Sequence, residues 1–181
     1  MRKLLPNRPK KFFLPPKGTL EPNGSKDPLY YYYHPLVGFL YCQRVEQALS
    51  LLTVSYESIL EIGYGSGVLL PALANNGKDI YGVDIDSDPL RVASNLKRVG
   101  VRAQLTRSDF CDFNHPKESF DLIVAISVLE HVKDLKLIIH KAFSLLRPGG
   151  HFLVGMPRLG SFMNMVAHCI GFHSLKQTHI N

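Results

Sequence analysis

Between residues 58 and 157 the chain alternates short apolar runs with stretches of helical period, and this alternation constrains the fold more than any other feature. SILEIG, DIYGVDI, VRAQLTRSD, FDLIVAIS and GHFLVGMP read as five strands, each short, rich in branched or aromatic residues and bounded by turn formers. VLLPALANNG, PLRVASNLKRVG and DLKLIIHKAFSLL carry apolar residues at helical spacing between them. Gly77 and Gly100 are placed to close the first two of these helices, Asp134 to cap the third, and Pro148-Gly149-Gly150 to turn the chain into the fifth strand. Strand and helix in alternation predict an α/β fold with a doubly wound, mostly parallel sheet and helices on both faces. Ligands of such sheets bind beyond the carboxyl ends of the strands, near the reversal in strand order.

Upstream, DPLYYYYHPLVGFLYCQRVEQALSLL has apolar residues at 36, 37, 40, 41, 45, 48, 49 and 52, which predicts an amphipathic helix over about Leu36 to Leu52. The run Tyr30 to Tyr33 is expected to pack against the core. Arg2, Lys3, Arg8, Lys10, Lys11 and Lys17 lie in a stretch without Asp or Glu and equal the formal net charge of +6. With Pro6, Pro9, Pro15 and Pro16 in the same stretch, residues 1–26 are expected to form a flexible basic arm, and residues 27–181 one domain. Contact of this arm with nucleic acid or anionic lipid is expected to be weak at most. No apolar run is long enough to span a bilayer and no secretory leader is evident, so a cytoplasmic protein is expected. Cys42, Cys111 and Cys169 are odd in number and far apart, as reduced thiols would be. His168, Cys169, His173 and His179 match no usual zinc spacing, and no metal is expected.

The first strand ends in Glu61 and the loop Gly63-Tyr64-Gly65-Ser66-Gly67-Val68. A dinucleotide fingerprint needs glycine where Val68 stands, and a phosphate loop needs Gly-Lys-Ser/Thr. Both phosphate readings fail, leaving glycines that clear space beside an acid suited to a positively charged ligand. Asp84 follows Gly63 by 21 positions, near the spacing at which a carboxylate meets ribose hydroxyls. Asp86 and Asp88 read as turn and helix-cap residues. Asp109 ends the third strand, where its carboxylate can accept from an exocyclic amine while the Phe110 N–H donates to a ring. Carboxylates at three successive strand ends suggest a ligand with an amine, a ribose and an adenine.

The motifs ILEIGYGSG, GVDID, SDF, SFDLIVAISVLEHV and LLRPGGHFLVGMP, in this order over about residues 57 to 157, resemble those of the class I S-adenosylmethionine-dependent methyltransferases of small-molecule type. The resemblance implies a Rossmann-like sheet and S-adenosylmethionine as cofactor, with S-adenosylhomocysteine as product. It implies that Glu61, Gly63, Tyr64, Gly65 and Gly67 hold the methionine end, Asp84 the ribose, and Asp109 and Phe110 the adenine, with Ile85 also among the cofactor-binding residues. Ser127 and Val128 would then stand beside the sulfonium. His131 is the candidate general base, needed only if the acceptor is protonated and weakly acidic; Glu130 is the poorer candidate. The expected activity is methyl transfer to a small-molecule or lipid-like acceptor. The alternatives are a catalytically silent cofactor-binding module whose role is interaction, and a nicotinamide-dependent oxidoreductase.

The resemblance further implies seven strands, of which five are recognisable, with RLGSFMNMVAHCIGFHSLKQTHIN similar to the helix that precedes the sixth. A shortened chain is therefore expected, with the edge of strand five open to self-association. The apolar run Phe162 to Phe172 within that tail is expected to pack in the ordinary way.

Overall fold

The structure, a computed structural model, describes residues 12–23 and 27–156. Two helices, α1 (Leu29–Tyr32) and α2 (Gly38–Ser50), lead into an alternating core. It runs β1 (Tyr56–Ile62), α3 (Leu70–Ala74), β2 (Gly77–Asp84), α4 (Pro89–Lys97), β3 (Gln104–Arg107), β4 (Phe120–Ile126), a 3₁₀ turn (Leu129–His131), α5 (Leu135–Leu145) and β5 (Leu146–Gly155). The strands form one sheet in the order β3-β2-β1-β4-β5, and all four pairings are parallel. The order reverses between β1 and β4, so their carboxyl ends open the crevice where ligands of such folds bind.

The central strands β1 and β4 are almost wholly buried, as expected of parallel strands covered on both faces. Successive residues divide between two cores: Ile59 and Leu122 pack with Val45, Leu49, Leu73 and Val92 of α2, α3 and α4, while Leu60 and Ile123 pack with Ile138, Ala142 and Leu145 of α5. The strand period of two thus builds a doubly wound core from continuous apolar runs. Asp88 caps α4 by accepting from the N–H groups of Leu90 and Arg91, and Asp134 caps α5 by accepting from Leu137.

The structure departs from the sequence expectations at three places. Gly77 opens β2 instead of closing α3, because α3 stops at Ala74 and a Cβ at 77 would come within 2.5 Å of Ile59 Cδ1. Pro148-Gly149-Gly150 is not a turn before β5 but lies inside it: Leu146 already pairs with Phe120, and the register shifts before His151 pairs with Leu122. The arm expected to be flexible is, over residues 12–23, packed on the domain. Phe12 and Leu20 are buried in the α2–α4 core, the Phe12 N–H donates to Glu46 Oε1, and the Tyr33 hydroxyl donates to the Pro15 carbonyl. Phe12, Leu14 and Leu20 supply apolar anchors that the surrounding basic residues and prolines obscure.

Among the described residues no strand pairs with the outer edge of β5, and no helix is long and apolar enough to cross a membrane. The helix expected over 158–181 and the histidine-rich tail lie outside the described residues.

Candidate functional site

Glu61 lies one residue before the end of β1, opposite Gly82 of β2 and Val124 of β4. It is 5% exposed, and its Oε2 has no hydrogen-bond partner among the described residues. Burial pushes its carboxyl well above the ordinary carboxylate range, and the charge of Asp84 adds to the effect. The Tyr32 hydroxyl of α1 stands near enough to feel both Glu61 and the Arg44 guanidinium; burial dominates and raises it, and Arg44 opposes that rise.

The loop after β1 needs its glycines for the fold itself. Gly63, Gly65 and Gly67 have φ of +74°, +49° and +80°. A Cβ on Gly63 would lie 2.3 Å from Val128 Cγ2, so the space beside this glycine belongs to the loop after β4. A Cβ on Gly67 would come within 2.9 Å of Val92 on α4. The sequence reading gave this clearance to a ligand; at these two positions a protein neighbour already requires it. The backbone at 65 is tied to β2, because Asp84 Oδ2 accepts from Gly65 N–H at 2.9 Å. Asp84 Oδ1 accepts from the N–H groups of Asp86 and Ser87, each at 2.9 Å. Asp84 therefore fixes the glycine loop and its own turn, and Oδ2 retains a further acceptor position.

The remaining positions differ in presentation. Tyr64 is a core residue: it is buried, a Cβ on Gly82 would sit 2.7 Å from its ring, and burial together with Asp84 and Asp88 raises its hydroxyl. Ile85 is exposed just past β2. Asp109 lies in the turn beyond β3, where Oδ1 accepts from Cys111 N–H at 2.8 Å, and Phe110 beside it is buried. Ser127 follows β4 with φ +58°, donates its N–H to the Gly155 carbonyl, and has a buried Oγ without a partner among the described residues. Glu130 Oε2 is in the same condition. His131 is exposed on the 3₁₀ turn.

The fold thus brings Glu61, the glycine loop and Asp84 to neighbouring strand ends and sets Val128 across from Gly63, with Ser127 beside it in the chain. Sequence reasoning missed Asn23, Asp27 and Ser87, which bond to this loop from outside. The available signal was Asp27-Pro28 ahead of a helix, a helix-start signature, since Asp27 Oδ1 accepts from Leu29 N–H at 2.9 Å.

An α/β sheet with acidic residues and a glycine loop at its switch point defines a nucleoside-binding class of fold. Residues 33–181 match the family described as "Methyltransferase domain", and the chain belongs to that family, within the class I S-adenosylmethionine-dependent methyltransferases. Among curated relatives, the ubiquinone biosynthesis O-methyltransferase of Azorhizobium caulinodans is 32% identical over 139 residues, covering 74% of this chain and 55% of that protein. The protein of that name from Photorhabdus laumondii subsp. laumondii is 30% identical over 98 residues, covering 52% and 40%. The chain spans about half the length of these relatives. Among solved structures, the N-methyltransferase NodS from Bradyrhizobium japonicum WM9, in complex with S-adenosylhomocysteine, aligns with a TM-score of 0.55 at 25% identity over 72% of this chain and 67% of that one. PH0226 from Pyrococcus horikoshii OT3 shares the fold, with a TM-score of 0.61 at 19% identity over 71% and 62%. The five parallel strands and the family expected from the motifs are both found.

Proposed function

We propose that this chain carries out S-adenosylmethionine-dependent methyl transfer to a small-molecule acceptor bearing a hydroxyl group. The observation that supports this most is Glu61, a buried carboxylate with one unpartnered oxygen beside a glycine loop. An ammonium group there would satisfy that oxygen and return the carboxyl to its charged form. The residues therefore fit the cofactor. Glu61 and the backbone of Gly63 to Gly67 would hold its amino acid end, Asp84 and Ile85 its ribose, Asp109 and Phe110 its adenine, and Ser127 and Val128 its centre.

When bound, the cofactor supplies a methyl group already activated by its sulfonium. The chain's own work is then to align an acceptor oxygen in line with that methyl and to keep water away. His131, on the turn beyond β4, would take the acceptor proton at an imidazole nitrogen. The oxygen acceptor is supported by the names of the relatives, which are ubiquinone biosynthesis O-methyltransferases, and a lipid-like acceptor is the finer form of the proposal.

Calorimetric titration with S-adenosylhomocysteine and, separately, with NAD tests the cofactor. Binding of the first alone is expected, and no binding of it would sink the proposal. Turnover of S-adenosylmethionine with a panel of phenols, read by mass spectrometry of the products, tests the reaction. Cofactor binding with no turnover over the panel would instead favour a silent interaction module.

A further inference from the structure

Resting on the methyltransferase reading above, we infer that Asn23 is a positioning residue: it clasps the Gly65 carbonyl and the start of α4 so that the glycine loop is preset for the cofactor. Asn23 is a polar side chain only 6% exposed, in a segment far from the loop in sequence. Its Oδ1 accepts from Asp88 N–H at 3.2 Å and from the Arg91 guanidinium. Two donors on that oxygen fix the orientation of the amide and turn Nδ2 toward two carbonyls, Gly65 at 3.4 Å and Asp88 at 3.5 Å. The Asn23 N–H in turn donates to Asp27 Oδ2 at 2.8 Å, while Asp27 Oδ1 accepts from Ser66 Oγ at 3.2 Å. Asn23 and Asp27 therefore grip consecutive loop residues.

The Gly65 peptide is the point where three parts of the chain meet. Its N–H goes to Asp84, and its carbonyl receives Asn23 Nδ2 and, at 3.0 Å, Ser87 Oγ. Glycine has the most backbone freedom to lose, and a loop that samples several conformers binds its ligand more weakly by the fraction that is competent. Asn23 removes that freedom from outside the site. Its hydrogen bonds go to Gly65, Asp27, Asp88 and Arg91, so its effect belongs to the shape of the loop, and hence to cofactor affinity and not to the transfer step.

Asn23→Asp keeps the oxygen that serves Asp88 and Arg91 and deletes both Nδ2 donors. The expected result is a rise of at least about tenfold in the Kd for S-adenosylhomocysteine by calorimetry, since one or two neutral hydrogen bonds are lost and an Asp oxygen is set against the Gly65 and Asp88 carbonyls. The KM for S-adenosylmethionine should rise in step while kcat at saturation stays unchanged. A role confined to stability would lower the melting temperature without that split. Should Asn23→Asp fail to fold, Asn23→Ser removes the same Nδ2 donors without adding a charge, and the same direction of shift is expected. Unchanged affinity in the folded variants, or a fall in kcat with KM unchanged, overturns the inference. Absence of S-adenosylhomocysteine binding by the parent chain would fail the methyltransferase reading itself, before any variant is compared.

Discussion

Glu61 and Asp84 sit at the ends of neighbouring strands, and the charge of Asp84 adds to burial in pushing the Glu61 carboxyl above the ordinary carboxylate range. The folded chain thus binds a proton at Glu61 more tightly than the unfolded chain does. Stability from this group is fully present below the unfolded carboxyl value and falls as pH rises toward the raised folded one. A cationic ligand reverses the relationship by favouring the charged form. The fold accepts a local destabilisation where the proposed cofactor would bring its ammonium.

Glu61→Gln is therefore expected to raise the melting temperature of the ligand-free chain near neutral pH and to flatten its decline with rising pH. The same variant should weaken S-adenosylhomocysteine binding by about 10- to 100-fold, the loss of a charge-assisted contact. Thermal scans across pH together with calorimetry check both halves. A variant that is destabilised yet binds normally would contradict the role.

The central strands were legible in the sequence because a parallel α/β core writes itself as largely apolar runs, and SILEI and FDLIVAI are such runs, broken only by Ser58, Glu61 and Asp121. Asp88 and Asp134 were legible as caps because a cap is a local interaction. Gly63 was legible as a glycine but not by its reason, since Val128 is brought beside it only by the β1–β4 pairing. Asn23 was invisible for the same cause: its partners are 42 and 65 residues away, and a basic, proline-containing context outweighed it in any compositional reading.

Asp84 has a double duty, to the loop and to the proposed ribose. Asp84→Ala is expected to cost about 1 to 3 kcal/mol in cofactor binding and to lower the melting temperature as well, because the Gly65, Asp86 and Ser87 N–H groups lose their acceptor. Asp84→Asn keeps an oxygen for the turn and should recover stability more than affinity. Calorimetry and thermal unfolding on the pair separate the two duties; equal recovery of both would remove the ribose assignment.

The packed segment 12–23 changes what truncation should do. Phe12 is buried against Tyr32, with ring centroids 6.0 Å apart. Phe12→Ala is expected to cost about 3 to 5 kcal/mol in urea unfolding, in the range of large core truncations. Removing residues 1–17 takes Phe12 with it and should lower stability by a similar amount. A loss under about 0.5 kcal/mol, typical of surface changes, would mean that this segment is not docked in solution.

His131 is exposed on its turn, so it can be removed without opening the core. If it takes the acceptor proton, His131→Ala should lower kcat by about 100-fold or more with a hydroxyl acceptor, leaving S-adenosylhomocysteine affinity unchanged. Steady-state rates with a hydroxyl acceptor measure this, and a variant with the parent's kcat would leave His131 with no part in proton transfer.

Gly63 and Val128 provide the sharpest geometric test, because the cost of a side chain at 63 has two separable parts. One is backbone strain at φ +74°, about 1 to 2 kcal/mol for any L-residue. The other is collision of the new Cβ with Val128 Cγ2, which would lie 2.3 Å away. Val128→Ala removes the colliding methyl and leaves the strain untouched. Gly63→Ala alone should therefore be strongly destabilising, and the double variant less so than the sum of the single changes, with a coupling of about 0.5 to 3 kcal/mol. Urea unfolding of the four proteins measures that coupling. Strict additivity would mean that the loop after β1 and the loop after β4 do not meet at this point, and the opposition of Val128 to the glycine loop would fall with it.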